Sequence, residues 1–151
     1  MSNNENEHQY RVDLAWKEGR IGTMSSPELE DRIEVATPPE FEGGVEGIWS
    51  PEHLFVSSVS SCFMTTFVAI AQYSKLKFED LDVKAVGTIE KVDGKFMVTE
   101  ITLEPELVIT EEKFQDKAKR IMEKAEAACL ITRSIKTKIH FNPKVTIASL
   151  K

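Results

Sequence analysis

One long apolar segment in the first half of the chain constrains the fold more than any other feature. It follows Ser50, Pro51 and Glu52, which supply an N-cap hydroxyl, a proline for the first helical position and an acid for the first turn. These signals predict a helix from Pro51 to about Tyr73 that is apolar on nearly all sides. Six serines and threonines interrupt the run between residues 54 and 71, which favours a buried core helix over a membrane span.

Alternating apolar and polar residues on both sides of this helix predict β-strands. The Asp93-Gly94 pair lies between two such runs and predicts a hairpin. Thr110 is expected to cap a second, amphipathic helix whose apolar stripe ends at Cys129. The predicted strands are 10–17, 32–36, 81–92, 95–103 and 136–147, and the first of them is expected to be half-buried. This order predicts an α+β fold in a single domain, residues 10–151, after a disordered tail at residues 1–9.

Composition excludes several classes of partner and cofactor. The chain has 151 residues, with 19 basic and 25 acidic side chains and a formal net charge of -6, so neither nucleic acid nor a membrane surface is expected as a partner. Two cysteines are too few for a disulfide scaffold or a four-thiolate zinc site, and the three histidines show no zinc spacing. We therefore expect no metal and no organic cofactor. The polar start lacks a secretory signal, and a cytoplasmic location is expected.

The two cysteines are the candidate reactive groups. Cys62 lies in the middle of the predicted long helix, and Cys129 lies where the second helix ends. Each could be an ordinary buried side chain, which is the commonest role of a cysteine in a helix. If Cys62 is a nucleophile, it must be partly ionised, and burial opposes this by raising the pKa of a thiol.

A cation near Cys62 would favour its thiolate, but the surrounding sequence contains none. There is no lysine or arginine between residues 33 and 74, so an activating charge must come from a distant segment. Arg20 stands between Gly19 and Gly22 and has room to approach, and Glu52 is the acid in the long helix that could hold it. The residues alone do not choose among the five arginines, which are Arg11, Arg20, Arg32, Arg120 and Arg133.

Three segments resemble the OsmC/Ohr family, the osmotically inducible protein C and organic hydroperoxide resistance proteins. The segments are residues 41–44 with 50–63, residues 129–134, and residues 19–22. The order of predicted elements agrees with the family over nearly the whole chain. The resemblance implies an α+β fold in which antiparallel sheets surround a long buried central helix, within an intertwined homodimer.

The resemblance also implies an activity and a role for each candidate residue. The family reduces organic hydroperoxides with a cysteine pair, which implies a thiol-dependent peroxidase for oxidative-stress defence, with hydrogen peroxide as a further candidate substrate. Cys62 would be the peroxidatic thiolate and Cys129 the resolving thiol. Arg20 would lower the pKa of Cys62 and orient the peroxide, and Glu52 would position Arg20. An external dithiol, for which a lipoylated protein is the candidate, would restore both thiols.

Two departures from the family pattern leave the branch of the family open. Leu130 stands directly after the second cysteine, where the family often has proline. Serines occupy positions of the long helix where glycine and alanine are usual in the organic hydroperoxide branch. These serines are Ser57, Ser58, Ser60 and Ser61.

The spacing of Glu52 and Cys62 bears on the homodimer. The two residues are ten positions apart, and ten helical residues rise about 15 Å, which is farther than one guanidinium can serve. Two copies of the helix packed antiparallel about a twofold axis would bring Glu52 of one chain beside Cys62 of the other. A kink near residues 57–61 is the alternative.

A different function on the same fold also remains open. The chain could be a catalytically silent OsmC-like module that binds an apolar small molecule at the dimer interface, with structural cysteines. The side chains that could line an apolar pocket, or could simply form core, are Phe55, Phe63, Met64 and Phe67.

Overall fold

The computed structural model describes residues 6–148, which form seven strands, three α-helices and one turn of 3-10 helix. The elements are β1 Asp13–Glu18, β2 Ile21–Ser25, β3 Ile33–Ala36, α1 Pro51–Tyr73, β4 Asp80–Val92, β5 Lys95–Ile109, the 3-10 turn Glu112–Phe114, α2 Gln115–Ala128, α3 Leu130–Arg133, β6 Lys138–Phe141 and β7 Lys144–Ile147. The chain divides between Leu54 and Phe55 into two compact units. Of the tail predicted at residues 1–9, residues 1–5 lie outside the described residues.

The first unit contains a three-stranded antiparallel sheet in the order β1-β2-β3. Gly19, at φ 51, makes the turn between β1 and β2, and the indole Nε1 of Trp16 donates a hydrogen bond to its carbonyl oxygen at 3.0 Å. The expectation of a half-buried first strand is wrong for the single chain. Leu14 is 67% exposed and Trp16 is 77% exposed, because no described residue covers their side of this edge strand.

The second unit is built on the predicted hairpin of β4 and β5. Asp93 and Gly94 both have positive φ, at 52° and 79°, as the tight turn between two twisted strands requires. β5 continues to Ile109, six residues beyond its predicted end. The close approach of α1 to this hairpin depends on Gly87, since a Cβ there would lie 2.5 Å from Cγ2 of Val56.

The predicted last strand is two strands, and this changes the sheet. β6 and β7 are separated at Asn142 and Pro143, where the proline lacks the N–H that a continuous ladder would use. Both strands pair in parallel with β5, while β4 pairs with it antiparallel. The α+β class and the long helix are confirmed, but the second sheet is mixed and not purely antiparallel.

The core of the second unit forms where α1 and α2 contact β5. Phe63 and Phe67 are fully buried, and their ring centroids lie 5.4 Å from Phe141 and 5.5 Å from Phe78 respectively. Full burial of such a side chain stabilises the fold by roughly 1.5–3 kcal/mol. The other buried members of this cluster are Ala71, Leu76, Leu103, Leu107, Ile109, Ala118, Ile121, Met122 and Ala125.

Helix α1 combines a buried stripe with an exposed side. In the described part of the chain it is the one helix long and apolar enough to cross a membrane, with a mean hydropathy of 1.8 over its best window. Its phenylalanine stripe belongs to the core cluster, while Met64 on another side is 41% exposed. The hydroxyls in this helix bond to its own carbonyls: Ser61 Oγ donates to Ser57 O at 2.7 Å, and Thr65 Oγ1 donates to Cys62 O at 3.2 Å.

The second helix begins differently from the prediction. Thr110 does not cap it, because the chain leaves β5, passes through extended Glu111 and makes a 3-10 turn before α2 starts at Gln115. After α2, Cys129 has an extended conformation, with φ -63 and ψ 117, and the short helix α3 follows at once. No sequence signal had predicted α3.

Candidate active site

The structure brings the two cysteines of the second unit together. Cys62 follows the α1 residue Ser61 and precedes buried Phe63, so its side chain lies beside the core stripe and is partly exposed. Cys129 occupies the junction between α2 and α3 and is 1% exposed. Both thiols are free, and each of them influences the pKa of the other, as neighbouring side chains do. This arrangement holds two sulfurs side by side, with only one of them open to a reagent.

The environment of Cys62 favours its thiolate. Burial is the largest influence and raises the pKa of the thiol, but four hydrogen-bond donors outweigh it, so that the pKa lies below its ordinary value. The donors, in decreasing order of effect, are the main-chain N–H of Ile131, the thiol of Cys129, the hydroxyl of Thr66 and the main-chain N–H of Leu130. The Thr66 oxygen lies 4.0 Å from the Cys62 sulfur.

Cys129 is shifted in the opposite direction. Burial raises the pKa of its thiol most strongly, and the neighbouring Cys62 sulfur raises it further, while hydrogen bonds from Thr132 only partly compensate. Of the two thiols, Cys129 is therefore the one that ionises less readily.

Arg20 belongs to the first unit and lies across a glycine of the connection before α1. A Cβ at Gly43 would lie 3.2 Å from Nε and 3.3 Å from Cγ of Arg20, and Gly43 itself has φ +78. At Gly44 a Cβ would lie 2.0 Å from the carbonyl oxygen of Pro38, so no side chain fits there. Gly43 and Gly44 therefore allow close packing, and the Arg20 side chain packs against Gly43.

Glu52 also belongs to the first unit, in the first turn of α1. Its Oε1 atom is buried and has no hydrogen-bond partner among the described residues. Within residues 6–148, neither Glu52 nor Arg20 takes part in an ion pair within 4.0 Å. A buried carboxylate oxygen without a partner is costly and calls for a donor. The pairing of Glu52 with Arg20 is not made within one chain, and the roles given to both residues remain predictions.

The start of α1 is fixed by Ser50, as its sequence indicates. The fully buried Ser50 accepts the main-chain N–H of His53 at 3.1 Å and lies 2.6 Å from the His53 ring nitrogen Nδ1. These contacts give His53 a capping role. In residues 6–148 no group of three or more histidine, cysteine or acidic side chains is placed to hold a metal ion.

The main-chain donors of Leu130 and Ile131 are the functional groups that sequence reasoning missed. A side-chain cation was expected beside Cys62, whereas the groups that lower the pKa of this thiol include two peptide N–H groups of α3. Every residue except proline carries such a donor, so no pattern of residue types identifies it. The only sequence signal is that position 130 is not proline.

Comparison with known proteins shows what the whole chain is similar to. A family model described as "OsmC-like protein" matches residues 44–144. The curated protein YmaD of Bacillus subtilis (strain 168), which is described as uncharacterized, is 26% identical over 146 residues that cover 93% of this chain and 95% of YmaD.

Two solved structures illustrate the similarity of fold. An OsmC-like protein of unknown function from Vibrio cholerae has a TM-score of 0.82 and 24% identity, and the match covers 91% of this chain and 99% of that one. An organic hydroperoxide resistance protein from Elizabethkingia anophelis has a TM-score of 0.75 and 21% identity, with coverage of 95% and 99%.

Proposed function

Because the chain belongs to the OsmC-like protein family, we propose that it is a thiol-dependent hydroperoxide reductase that uses Cys62 and Cys129. The observation that carries the proposal is the pair of neighbouring free thiols, in which the partly exposed one has the lowered pKa and the buried one the raised pKa. A nucleophile must ionise and be reachable, and Cys62 has a lowered pKa and a partly exposed side chain. The name of the similar protein from Elizabethkingia anophelis supports organic hydroperoxides as the substrate class.

The first step consumes the peroxide. The Cys62 thiolate attacks the terminal oxygen of the O–O bond, this bond breaks, and the alkoxide leaves and takes up a proton to become an alcohol. Cys62 is thereby oxidised to a sulfenic acid, and the peroxide is reduced. The donors of Ile131 and Cys129 hold the sulfur as the anion that this attack requires.

The second step protects Cys62 and closes the cycle. The Cys129 sulfur attacks the sulfenic sulfur, hydroxide leaves and combines with the Cys129 proton as water, and a Cys62–Cys129 disulfide forms. An external dithiol then supplies two electrons and two protons and is itself converted to a disulfide. We assign this role to a dithiol of the lipoyl class. The influence of each thiol on the pKa of the other supports this pairing.

Arg20 and Glu52 have the remaining roles in this proposal, in which the protein is a homodimer. In this proposal Arg20 orients the peroxide and adds positive charge near the thiolate, and Glu52 positions Arg20. The orphaned Oε1 of Glu52 supports a partner that one chain does not provide. The exposed side chains of Leu14 and Trp16 supply apolar surface that a second copy of the chain would cover. We propose that this homodimer acts in the cytoplasm.

The competing proposal is an OsmC-like module that binds an apolar molecule between subunits and uses neither thiol. The almost complete burial of Cys129 is the observation that favours it, since buried cysteines are commonly structural.

A thiol titration before and after one equivalent of cumene hydroperoxide separates the two proposals. The reductase loses both thiols to an intramolecular disulfide, and the binding module keeps them. Cys62→Ser is the control, because in this variant Cys129 alone should survive the same treatment. If the wild-type chain keeps both thiols over several equivalents of peroxide, the reductase proposal is wrong.

A further inference from the structure

The end of α1 receives a cation from α2. Lys117 Nζ donates a hydrogen bond to the carbonyl oxygen of Ser74, the residue that follows α1, at 2.6 Å, and this contact is partly buried. The last turn of α1 contains no basic residue of its own, although the C-terminus of a helix attracts positive charge. The next residues fold back onto the helix, with the N–H of Leu76 bonded to the carbonyl oxygen of Ala71 at 2.9 Å. Lys117 therefore joins the beginning of α2 to the capped end of α1.

The two cysteines lie equally far along the chain from this contact. Ser74 lies twelve residues after Cys62, and Cys129 lies twelve residues after Lys117. Each interval is helical up to its last residue, so each spans about 18 Å. Because the thiols of Cys62 and Cys129 are neighbours, the two helices run antiparallel over this stretch. The thiol pair lies at one end of the stretch, and the bond between Lys117 and Ser74 lies at the other.

We propose that Lys117 is a positioning residue for disulfide formation, and that its bond to Ser74 fixes the register in which α2 brings Cys129 opposite Cys62. This inference deepens the proposed function, on which the resolving role of Cys129 rests.

A directional contact is needed because the surface between the two helices is apolar. Ala118, Ile121 and Ala125 of α2 belong to the same buried cluster as Phe67 and Ala71 of α1. Burial of apolar surface holds two helices together but has no preferred direction. A hydrogen bond from a charged donor has a preferred length and angle, so it resists sliding of one helix along the other.

A positioning role and a purely stabilising role differ in their effect on the disulfide. A group that stabilises the reduced and the oxidised chain equally leaves the tendency of the two thiols to form a disulfide unchanged. A group that fixes the separation of the thiols raises this tendency, because the effective concentration of one thiol at the other depends on their geometry. The effective concentration can be measured without any peroxide.

The measurement is an equilibration of the chain with reduced glutathione and glutathione disulfide. The Cys62 thiolate displaces one glutathione from the glutathione disulfide, and the Cys129 sulfur displaces the second from the mixed disulfide. Two protein thiols are oxidised, and two glutathione thiols form and take up the protons. Acid quenching followed by intact mass gives the ratio of dithiol to disulfide.

The experiment compares Lys117→Met with Lys119→Met. Methionine keeps an unbranched side chain that suits a helix and removes the ammonium group. Lys119 is the matched control, because it lies on the same helix, is exposed, and its ammonium group makes no hydrogen bond or ion pair within residues 6–148. We expect Lys117→Met to lower the effective concentration roughly three- to tenfold, where tenfold corresponds to about 30 mV in reduction potential. Equal effective concentrations in the two variants would overturn the proposal.

A second measurement on the wild-type chain keeps the test decisive if Lys117→Met does not fold. Coupling between two contacts is reciprocal, so joining the sulfurs should strengthen the bond between Lys117 and Ser74. We expect the amide hydrogen of Leu76, which closes this end of α1, to exchange more slowly in the disulfide form than in the dithiol form. The slowing should be roughly threefold or more beyond that of the buried β5 amides. Equal slowing at Leu76 and in β5 would contradict the proposal.

Failure here is distinct from failure of the proposed function. If the wild-type chain reduces no hydroperoxide but Lys117→Met still lowers the effective concentration, the positioning role stands and the reductase proposal falls. If the wild-type chain is active and the two lysine variants form the disulfide equally well, the reductase proposal stands and the positioning role falls.

Discussion

Cys62 and Cys129 carry neighbouring free thiols, and the pKa values of these thiols are shifted in opposite directions. The direction of each shift follows from position. Cys62 is partly exposed and receives main-chain donors from α3, whereas Cys129 is enclosed at the junction of α2 and α3 and lies beside an anionic neighbour. A peroxidatic and a resolving thiol need this asymmetry, since one must attack a peroxide while the other waits for the sulfenic acid.

Replacing Cys62 and replacing Cys129 should impair hydroperoxide turnover in different ways. Cys62→Ser removes the nucleophile, and we expect hydroperoxide turnover to fall by roughly three orders of magnitude or more. Cys129→Ser should still consume one equivalent and then lose activity as Cys62 is over-oxidised to the sulfinic acid. Peroxide consumption with a dithiol reductant, together with intact mass, measures both outcomes. Equal steady-state turnover in Cys129→Ser and the wild type would contradict the resolving role.

The pH dependence of stability should report the lowered pKa of Cys62. Because the thiolate is favoured in the folded state, Cys62 contributes stability that is fully present above the pKa of an unfolded thiol, about 8.5. This contribution is lost as the pH falls through the lower, folded pKa. We expect the free energy of unfolding of Cys129→Ser to rise, relative to the double Cys62→Ser, Cys129→Ser protein, between about pH 7 and pH 9. A difference that is flat across this window would mean that the folded state does not favour the thiolate.

A side chain at Gly43 should displace Arg20. Gly43→Ala places a methyl group 3.2 Å from Arg20 Nε and also strains a backbone with φ +78. Gly47 has φ +79, and a Cβ there would meet nothing within 4 Å, so Gly47→Ala carries the strain alone. Both variants should lose roughly 1–2 kcal/mol of stability, but only Gly43→Ala should lower hydroperoxide turnover, in the direction of Arg20→Ala. Equal turnover in the two alanine variants would show that the Gly43 contact does not position Arg20 for the reaction.

The close approach of α1 to β4 should depend on Gly87. Gly87→Ala brings a methyl group within 2.5 Å of Val56 Cγ2, and such overpacking typically costs about 1–3 kcal/mol. The cost should shrink when Val56→Ala is added, since that change makes room for the methyl group. Chemical denaturation of the two single variants and the double variant measures this coupling. Additive effects would show that the two positions do not meet.

Hybrid dimers test whether each site draws on two chains. If Glu52 of one subunit serves Cys62 of the other, a hybrid of Cys62→Ser with Glu52→Gln contains one intact site and one doubly altered site. Mixing equal amounts of the two weak homodimers and allowing subunits to exchange should then give each hybrid dimer about half of the wild-type turnover, which is about a quarter for the whole mixture because about half of the dimers are hybrids. If Glu52 and Cys62 act within one chain, both sites of the hybrid are defective and no activity returns.

Local signals were enough to predict the helix that carries Cys62 and the hairpin turn of the second unit. The Ser50-Pro51-Glu52 start and the apolar run define α1 from Pro51 to Tyr73, and Asp93-Gly94 defines the hairpin turn. The same alternation that predicted β1 also predicted that the strand is half-buried. The predicted burial was wrong for Leu14 and Trp16. An alternating pattern shows which face of a strand is apolar, but it does not show what covers that face.

Features that depend on tertiary contacts could not be predicted from the sequence. β6 and β7 pair in parallel with β5, and strand direction follows from the path of the chain and not from residue type. Leu130 and Ile131 lower the pKa of Cys62 through their main-chain N–H groups, for which the sequence gives no signal except that neither residue is proline. The packing of the Arg20 side chain against Gly43 arises from a close approach between segments that are far apart in the sequence.

Locating the oxidised sulfur after a single turnover tests directly whether Cys62 and Cys129 form a peroxidatic pair. The wild-type chain is treated with one equivalent of cumene hydroperoxide without reductant, quenched with an alkylating agent and mapped by peptide mass spectrometry. We expect the wild-type chain to contain one intramolecular disulfide that joins the peptides of Cys62 and Cys129. In the Cys129→Ser variant we expect Cys62 as the sulfenic or sulfinic acid. Alkylated, unoxidised Cys62 in both proteins, with the peroxide still present, would contradict both expectations.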